Sequence, residues 1–229
     1  MNPNPSAEAS FQMNTNSIGN ALEDEVFSLI PIWLETLTLP YPKDDCRIHR
    51  RKPCFSKIRE SDINFENVVE IYSAVNLRSE NPQPALVAIM ECKNTKRPVT
   101  IEEIEEFKSK LDGVLGFRTK GYLVTRVGFT ASSVRMSRNL GIGLIRIIPE
   151  NQLDFVMHYM TLDAMKTRAR GLASRTLRAL THPSYISDQQ TEFCSDDGCA
   201  FEAVGAMLSY AINSRVARSA RLTSPKRIG

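Results

Sequence analysis

The chain has 229 residues, of which 42% are hydrophobic and 24% charged, a composition typical of a globular protein with a sizeable core. No apolar run approaches the ~18 residues that a membrane helix needs, and the polar residues 1–16 do not form a secretory signal. Together with an odd number of cysteines, five, these features predict a cytoplasmic protein with reduced thiols and no membrane partner.

The net charge of +3 is unevenly distributed along the chain. Residues 166–229 contain ten lysines and arginines but only five acidic residues. A basic C-terminal end is compatible with a nucleic-acid partner, and a solvated basic helix and tail explains it equally well. The length suits one domain with extensions, or one domain plus a small helical appendage. The pattern along the chain predicts a disordered segment at 1–16, an α/β domain at 17–150 and a helical C-terminal extension with a basic tail at 151–229.

The first predicted element is a helix that begins near Ser17, a plausible N-cap, and reaches Ile30 or continues past Pro31. It carries Glu23 and two further acids in what are expected to be its early turns, where negative charge suits the helix dipole. The next segment, 46–57, is dense in basic residues and is predicted to be a strand or loop, either near a phosphate backbone or at a solvated edge. Cys46-x-x-His49-x4-Cys54 supplies only three zinc ligands, one fewer than a structural zinc site requires.

Two β-rich segments, 65–75 and 85–93, are separated by a polar turn and are predicted to form an antiparallel hairpin. The second is apolar on both faces until it ends in Glu91-Cys92-Lys93, which indicates a strand buried on both sides. Side chains two residues apart share a face, so Glu91 and Lys93 point the same way, and the hairpin would bring Glu66 close to both. A strand that simply emerges into solvent explains the same charged pair.

The rest of the chain predicts strand, helix, strand, helix and strand from residue 85 to 148, which favours a partly parallel sheet. Thr100 and Glu103 form a capping box before a helix whose Lys110 is expected to face water. Thr130 is predicted to cap the next helix, and Gly141 to end it. Beyond residue 150 we expect helices, including 163–180 and 201–217, with a polar loop at 182–198.

The order of these elements, together with four short segments, resembles the PD-(D/E)xK nuclease superfamily, and more closely its Mrr-type restriction-endonuclease-like domains. The matching segments are Glu91-Cys92-Lys93-Asn94, Val99-Thr100-Ile101-Glu102-Glu103-Ile104-Glu105-Glu106-Phe107, Lys120-Gly121-Tyr122-Leu123-Val124-Thr125, and the stretch from Gly128-Phe129-Thr130 to Gly141-Ile142-Gly143-Leu144-Ile145-Arg146. The resemblance covers about residues 17–148. It implies a restriction-endonuclease-like three-layer core, in which helices flank a mixed central sheet.

The resemblance also implies a metal site and a catalytic lysine. Glu66, Glu91 and the carbonyl of Cys92 would bind a divalent cation, Mg²⁺ or Mn²⁺, with Glu23 as an auxiliary acid. Lys93 would orient or activate the attacking water. This chain departs from the family at Glu66, where Asp is usual, and Glu70 and the more remote Asp62 are alternative ligands.

The function implied is a divalent-metal-dependent endonuclease that hydrolyses DNA phosphodiester bonds in restriction or defence. The alternative is a catalytically weakened DNA-binding or accessory module of the same fold, and a third interpretation changes the substrate to RNA or branched DNA. Double-strand cleavage would suit a homodimer, although the sequence specifies no interface.

Overall fold

The computed structural model describes residues 15–35, 37, 43–73, 78–114, 119–148, 162–187 and 192–223, with side chains except at 15–20, 43, 162–170 and 215–223. Within these ranges the elements are α1 (Thr15–Glu35), a 3₁₀ turn (Lys43–Asp45), β1 (Cys46–Ser56), β2 (Ser61–Ile71), β3 (Leu86–Lys93), α2 (Ile101–Val114), β4 (Thr119–Thr125), α3 (Ala131–Leu140), β5 (Gly143–Ile147), α4 (Leu162–Thr181), β6 (Glu192–Asp196), β7 (Cys199–Phe201) and α5 (Val204–Thr223).

The seven strands form one mixed sheet in chain order, from β1 at one edge to β7 at the other. β1, β2 and β3 pair antiparallel, β3, β4 and β5 pair parallel, and β6 and β7 continue antiparallel from β5. The predicted hairpin of β2 and β3 and the partly parallel sheet are therefore confirmed, and the chain has an α/β fold.

Helices cover both faces of this sheet. Apolar residues of α1 and α5, such as Val26 and Met207, pack on one face with Met90 of β3. Phe107 of α2 and Leu180 of α4 pack on the other face with Ile89 of β3. Since β3 is covered on both sides, its residues must be apolar at both parities, which explains the continuous apolar run seen in the sequence.

The predicted helix caps form as expected, because they depend on residues close together in the chain. The backbone N–H of Thr100 donates to the Glu103 carboxylate at 2.9 Å, completing the capping box. The Thr130 hydroxyl accepts from the N–H of Ser133, and Gly141 ends α3 in the left-handed conformation.

The first helix begins earlier than predicted and passes through Pro31 to Glu35. Its acids at 23–25 therefore lie more than two turns from its start, so the proposed interaction with the helix dipole is wrong. Instead, they form ion pairs with arginines of other elements. Of the segment predicted to be disordered, Thr15 and Asn16 belong to α1, and residues 1–14 lie outside the described residues.

The C-terminal extension is not only helical, because it also supplies two strands to the sheet. The predicted polar loop at 182–198 is wrong at β6, where Phe193 and Cys194 are buried on opposite faces of the sheet between polar neighbours. Two adjacent apolar residues within a polar segment carry little sequence signal. The predicted helical period at 151–161 lies outside the described residues. The backbone of α5 remains helical through positions 215, 218 and 221, which carry arginines.

Arg146 of β5 fastens this extension to the sheet. Its fully buried guanidinium donates to the carbonyls of Arg126 at 3.0 Å, His182 at 2.7 Å and Pro183 at 2.9 Å, and also to the carbonyl of Ala179. Burial lowers the pKa of Arg146 to about 10. Carbonyls at the C-terminal end of a helix carry partial negative charge, which stabilises the cation where it touches the end of α4.

A buried ion pair makes a second connection between the extension and the sheet. Nζ of Lys120 in β4 lies 2.5 Å from a carboxylate oxygen of Asp196 in β6, and both side chains are almost fully buried. The same Nζ lies 3.2 Å from Oδ1 of the partly exposed Asp197. Burial raises the pKa of Asp196 although Lys120 partly offsets the effect. Removing one partner would leave the other charge buried without compensation, which is far more costly than losing an exposed pair.

We therefore expect Lys120→Met to lower the free energy of unfolding by about 3–5 kcal/mol at neutral pH, as measured by urea denaturation. The matched control is Lys108→Met, because Lys108 pairs with Asp112 on the exposed side of α2 and should contribute at most ~1 kcal/mol. The double variant Lys120→Met/Asp196→Leu should recover most of the loss. Equal destabilisation by Lys120→Met and Lys108→Met would contradict this account.

Candidate functional site

The candidate site lies where β2 separates from β3. The two strands pair from Asn67 and Met90 to Ile71 and Leu86, and Glu66 is the first residue beyond this ladder. On the other side, the β1 residue in register with Glu66 is Arg51, which has a left-handed φ of 51° and interrupts the β1–β2 pairing. A positive φ in a residue other than glycine is strained, so the chain is forced to bend here.

The bend reverses which residues of the hairpin face each helical layer. On the C-terminal side of the bend, Val69 and Ile71 of β2 pack toward α1 and α5. On its N-terminal side, Ile63 and Phe65, which have the same parity, pack toward α2. Residues of one parity normally stay on one face of a strand, so the hairpin turns over at Glu66. The Glu66 side chain is consequently directed to the end of β3.

Glu66 satisfies a backbone N–H of β3 beyond the end of the β2–β3 ladder. Its Oε2 accepts the N–H of Cys92 at 2.6 Å, which takes the place of a ladder hydrogen bond where β2 has moved away. The structure thus brings Glu66 beside Glu91-Cys92-Lys93, as the sequence predicted.

Glu91 is held by two lysines on the same carboxylate oxygen. Lys93 Nζ lies 3.2 Å and Lys110 Nζ 2.7 Å from Oε1, and the Glu91 side chain is only 6% exposed. Its second oxygen, Oε2, accepts no hydrogen bond from the described residues. Glu91 is therefore a buried but compensated carboxylate with one oxygen still available.

The role of Lys110 was not predicted, and the expectation that it faces water is wrong. This residue also pairs with Glu106 at 3.0 Å. Burial alone would lower the pKa of Lys110, but its hydrogen bonds to the two glutamates raise the pKa overall. A signal was present in the sequence, since Lys110 follows the buried Phe107 by three positions and so lies at the margin of the apolar stripe of α2.

Glu66 has a different electrostatic environment from Glu91. Its pKa is raised to about 7, first by burial, which outweighs the stabilising N–H of Cys92, and further by the carboxylates of Glu91 and Glu23. Among the described residues, no lysine, arginine or histidine forms an ion pair with Glu66. Glu66 is therefore an acid of the cleft between β2 and β3 that the described residues leave without a positively charged partner.

Glu23 approaches this site from α1. Its carboxylate lies 3.5 Å from the guanidinium of Arg51 and is 15% exposed. The adjacent acids Asp24 and Glu25 pair with Arg50 and Arg126. The three pairs hold α1 against β1 and the end of β4. They keep the Glu23 carboxylate close enough to raise the pKa of Glu66.

The alternative ligands named from the sequence lie elsewhere. Glu70 accepts from His49 at 3.1 Å and from Lys52 at 2.5 Å. Burial of Glu70 would raise its pKa, but these two partners outweigh that effect and lower it. Asp62 is exposed beyond the bend. Neither residue joins Glu66 at the end of β3.

The thiol of Cys92 is an unsuitable metal ligand. The thiol is buried, and burial together with Glu66 raises its pKa well above the ordinary value. In the part of the chain that the structure describes, no three His, Cys, Asp or Glu side chains are grouped to hold a metal, and this includes the Cys46, His49 and Cys54 set. A cation bound by Glu66 and Glu91 would need backbone oxygen or water as further ligands, as Mg²⁺ commonly does.

Comparisons with known proteins add little to this geometry. No protein-family model and no curated protein matches the chain. The chain is similar to a solved structure described as a protein of unknown function, AF1548, at 11% identity and a TM-score of 0.38, with 64% of this chain and 76% of that chain covered. None of the helices within the described ranges combines the length and apolarity needed to cross a membrane.

The raised pKa of Glu66 makes a prediction about stability in the absence of metal. An acid whose pKa is raised on folding stabilises the folded state below its unfolded pKa, and this contribution is lost as pH rises through the folded pKa. Between about pH 4.5 and pH 7, wild type measured in EDTA should therefore lose up to ~3 kcal/mol of unfolding free energy relative to Glu66→Gln. Urea denaturation across this range measures the difference.

The control for this measurement is Glu105→Gln, which removes an exposed carboxylate of α2. Its stability should follow that of wild type at every pH. If the free energy of unfolding of wild type and of Glu66→Gln changed with pH in parallel, Glu66 would not be a buried, uncompensated acid.

Proposed function

We propose that the protein is a divalent-metal-dependent endonuclease that hydrolyses DNA phosphodiester bonds. The observation that carries this proposal is the meeting of Glu66, Glu91 and Lys93 where β2 separates from β3, with Lys93 Nζ 3.2 Å from Glu91. Two acids can hold a hard cation, and a lysine beside them can place a positive charge next to the attacking water, so this set of side chains can support metal-assisted phosphodiester hydrolysis. The resemblance of the sequence to PD-(D/E)xK nucleases assigns these three residues the same roles.

The donors present fit a hard cation such as Mg²⁺ or Mn²⁺. Glu66 and Glu91 offer carboxylate oxygens and Cys92 offers its carbonyl, and oxygen ligands are those that these ions prefer. Burial, and after it the carboxylates of Glu91 and Glu23, raise the pKa of Glu66, and a cation bound between these acids would offset their mutual repulsion. A bound divalent cation would supply charge neutralisation at the phosphate and a lower pKa for water.

The lysines would complement this chemistry. Lys93 donates one of its N–H groups to Glu91, and an ammonium has three, so two remain to hold a water molecule or a phosphate oxygen. Lys110 fixes the same carboxylate from α2. With Arg51 beside Glu23 and Glu106 beside the two lysines, three positive groups face four acids. With all four acids ionised, a divalent cation would change the local net charge from −1 to +1, which would attract a phosphodiester.

Several finer statements belong to this proposal. They are a restriction-endonuclease-like core, a role in restriction or defence, a cytoplasmic location, a homodimer for double-strand cleavage, and Glu23 as an auxiliary acid. The α/β fold with helices on both faces of a mixed sheet is compatible with that core. Each of these statements stays a prediction.

The rival proposal is a DNA-binding or accessory module with weakened catalysis. It is favoured by Glu66 in place of the usual Asp, because Mg²⁺ tolerates displaced ligands poorly. It predicts salt-dependent DNA binding without cleavage. The two proposals therefore differ in one result, whether Mg²⁺ adds cleavage to binding.

The decisive variant is Lys93→Met, which removes the ammonium beside Glu91 and keeps an apolar stem of similar length. Plasmid DNA, single-stranded DNA and RNA should each be incubated with the protein in Mg²⁺ or in EDTA. We expect wild type to cleave DNA in Mg²⁺ only, and Lys93→Met to cleave at least roughly 10²-fold more slowly, because loss of a preorganised charge at a reacting centre has effects of this size.

The matched control is again Lys108→Met, which removes a surface lysine of α2 and should cleave like wild type. DNA binding in EDTA by Lys93→Met should remain within a few-fold of wild type. Cleavage at equal rates by wild type and Lys93→Met would refute the role of Lys93. DNA binding without any Mg²⁺-dependent cleavage would favour the accessory module.

A further inference from the structure

A cavity of about 280 Å³ opens between α3, α4 and the turn that joins β6 to β7. It lies toward the end of the sheet opposite to β1 and β2, and none of its lining residues belongs to the candidate site. Pockets that hold drug-sized ligands have volumes of roughly 300–1,000 Å³. This cavity is slightly smaller, so it suits a small molecule.

The walls of the cavity are largely apolar. Helix α4 lines it with Ala173, Thr176, Leu177 and Leu180, and α3 contributes Val134. The α4 residues are spaced three or four positions apart, so they lie on one face of the helix. Leu177 is 51% exposed, which a molecule lying along this face would reduce. The walls therefore favour a ligand with an apolar body.

Two arginines of α3 also line the cavity. Arg135 and Arg138 are three positions apart and so share one face of α3. Within the described residues neither forms an ion pair, since the arginines that do are others. Arg138 packs on the β6–β7 turn, where a Cβ at Gly198 would lie 2.6 Å from its Nε. This contact restrains the Arg138 side chain, which lowers the ordering cost of binding.

The negative charge at the cavity is already compensated. Among the described lining residues, the charged ones are the two arginines and Asp197. Oδ1 of Asp197 lies 3.2 Å from Nζ of Lys120, which also pairs with Asp196. Counted together, these five groups carry three positive and two negative charges. The arginines are therefore available to an anion from outside the protein.

A buried hydroxyl in the cavity wall has no partner. Thr176 is 1% exposed, and its Oγ1 makes no hydrogen bond within the described residues. A helical threonine can donate to the carbonyl four residues earlier, as Thr181 of the same helix does to Leu177 at 2.8 Å. Buried polar groups are nearly always hydrogen-bonded. A polar atom in the cavity, from a ligand or from water, would satisfy Thr176.

From these observations we infer that the cavity binds a small organic anion, one carboxylate or phosphate group on an apolar body. The anionic group lies between Arg135 and Arg138, because a guanidinium binds such groups through paired N–H donors. The apolar body packs along α4 beside Leu177 and Leu180. An inorganic anion would leave these walls unused, and a neutral molecule would leave the arginines unpaired. Binding at this site does not depend on the proposed nuclease function.

The test compares two probes of nearly the same shape that differ in charge. Isothermal titration calorimetry of the full chain would use 1-naphthoate and its neutral amide, 1-naphthamide, with inorganic phosphate as a third titrant. Wild type should bind one 1-naphthoate per chain. It should bind 1-naphthamide and phosphate at least about tenfold more weakly, since hydrogen bonds between charged groups contribute differences of this size.

Two variants place the bound probe in the cavity. Arg135→Met/Arg138→Met should weaken 1-naphthoate binding to the level of 1-naphthamide, and Arg78→Met, which removes an exposed arginine elsewhere, should bind like wild type. Ala200 lines the cavity from β7, so Ala200→Phe should fill it and weaken both naphthyl probes at least about tenfold.

The matched control for this filling variant is Ala206→Phe, at an exposed position of α5, and it should leave binding unchanged. Thermal unfolding midpoints establish that each variant is folded, and the arginine variant, which changes only exposed side chains, keeps the test decisive if Ala200→Phe does not fold. The inference is overturned if 1-naphthoate shows no saturable binding, or binds no more tightly than 1-naphthamide or phosphate. Unchanged 1-naphthoate binding by Arg135→Met/Arg138→Met or by folded Ala200→Phe would also overturn it.

Discussion

The separation of β2 from β3 at Glu66 is the constraint on which the candidate site depends. Arg51, which lies in register with Glu66 and has a positive φ, turns the hairpin over. The N–H of Cys92 then holds the Glu66 carboxylate at the end of β3, although the β2 backbone has separated from β3 there. The same bend directs Ile63 and Phe65 toward α2. One local distortion thus places the acid in the cleft and packs the rest of the hairpin on the opposite helical layer.

The two carboxylates at this bend differ in electrostatic compensation. Lys93 and Lys110 both hold Glu91, so its negative charge is stabilised even though it is buried. Among the described residues, the hydrogen-bond donors to Glu66 are the neutral groups of Cys92. The pKa of Glu66 is raised to about 7 because burial and nearby acids disfavour its ionisation. A divalent cation between them would supply the compensation that Glu66 lacks. This difference is the physical basis of the proposed metal site.

Much of this arrangement could be predicted because its causes are local in the sequence. The continuous apolar run of β3 predicted a strand covered on both faces, and Glu91-x-Lys93 placed two charges on one face at its end. Three features could not be read in this way. No sequence pattern predicts a positive φ at an arginine such as Arg51. The contact of Lys110 with Glu91 depends on how α2 is placed on the sheet. The strand β6 is short and lies within a polar segment.

The central claim is that Glu66 and Glu91 together bind one divalent cation, and direct titration of Mn²⁺ tests it. Electron paramagnetic resonance reports free Mn²⁺ and gives the number of bound ions per chain without any need for activity. The account predicts one bound ion in wild type and its loss in both Glu66→Gln and Glu91→Gln, with Glu105→Gln unchanged. Equal Mn²⁺ binding by wild type and by the Glu66→Gln/Glu91→Gln double variant would contradict it.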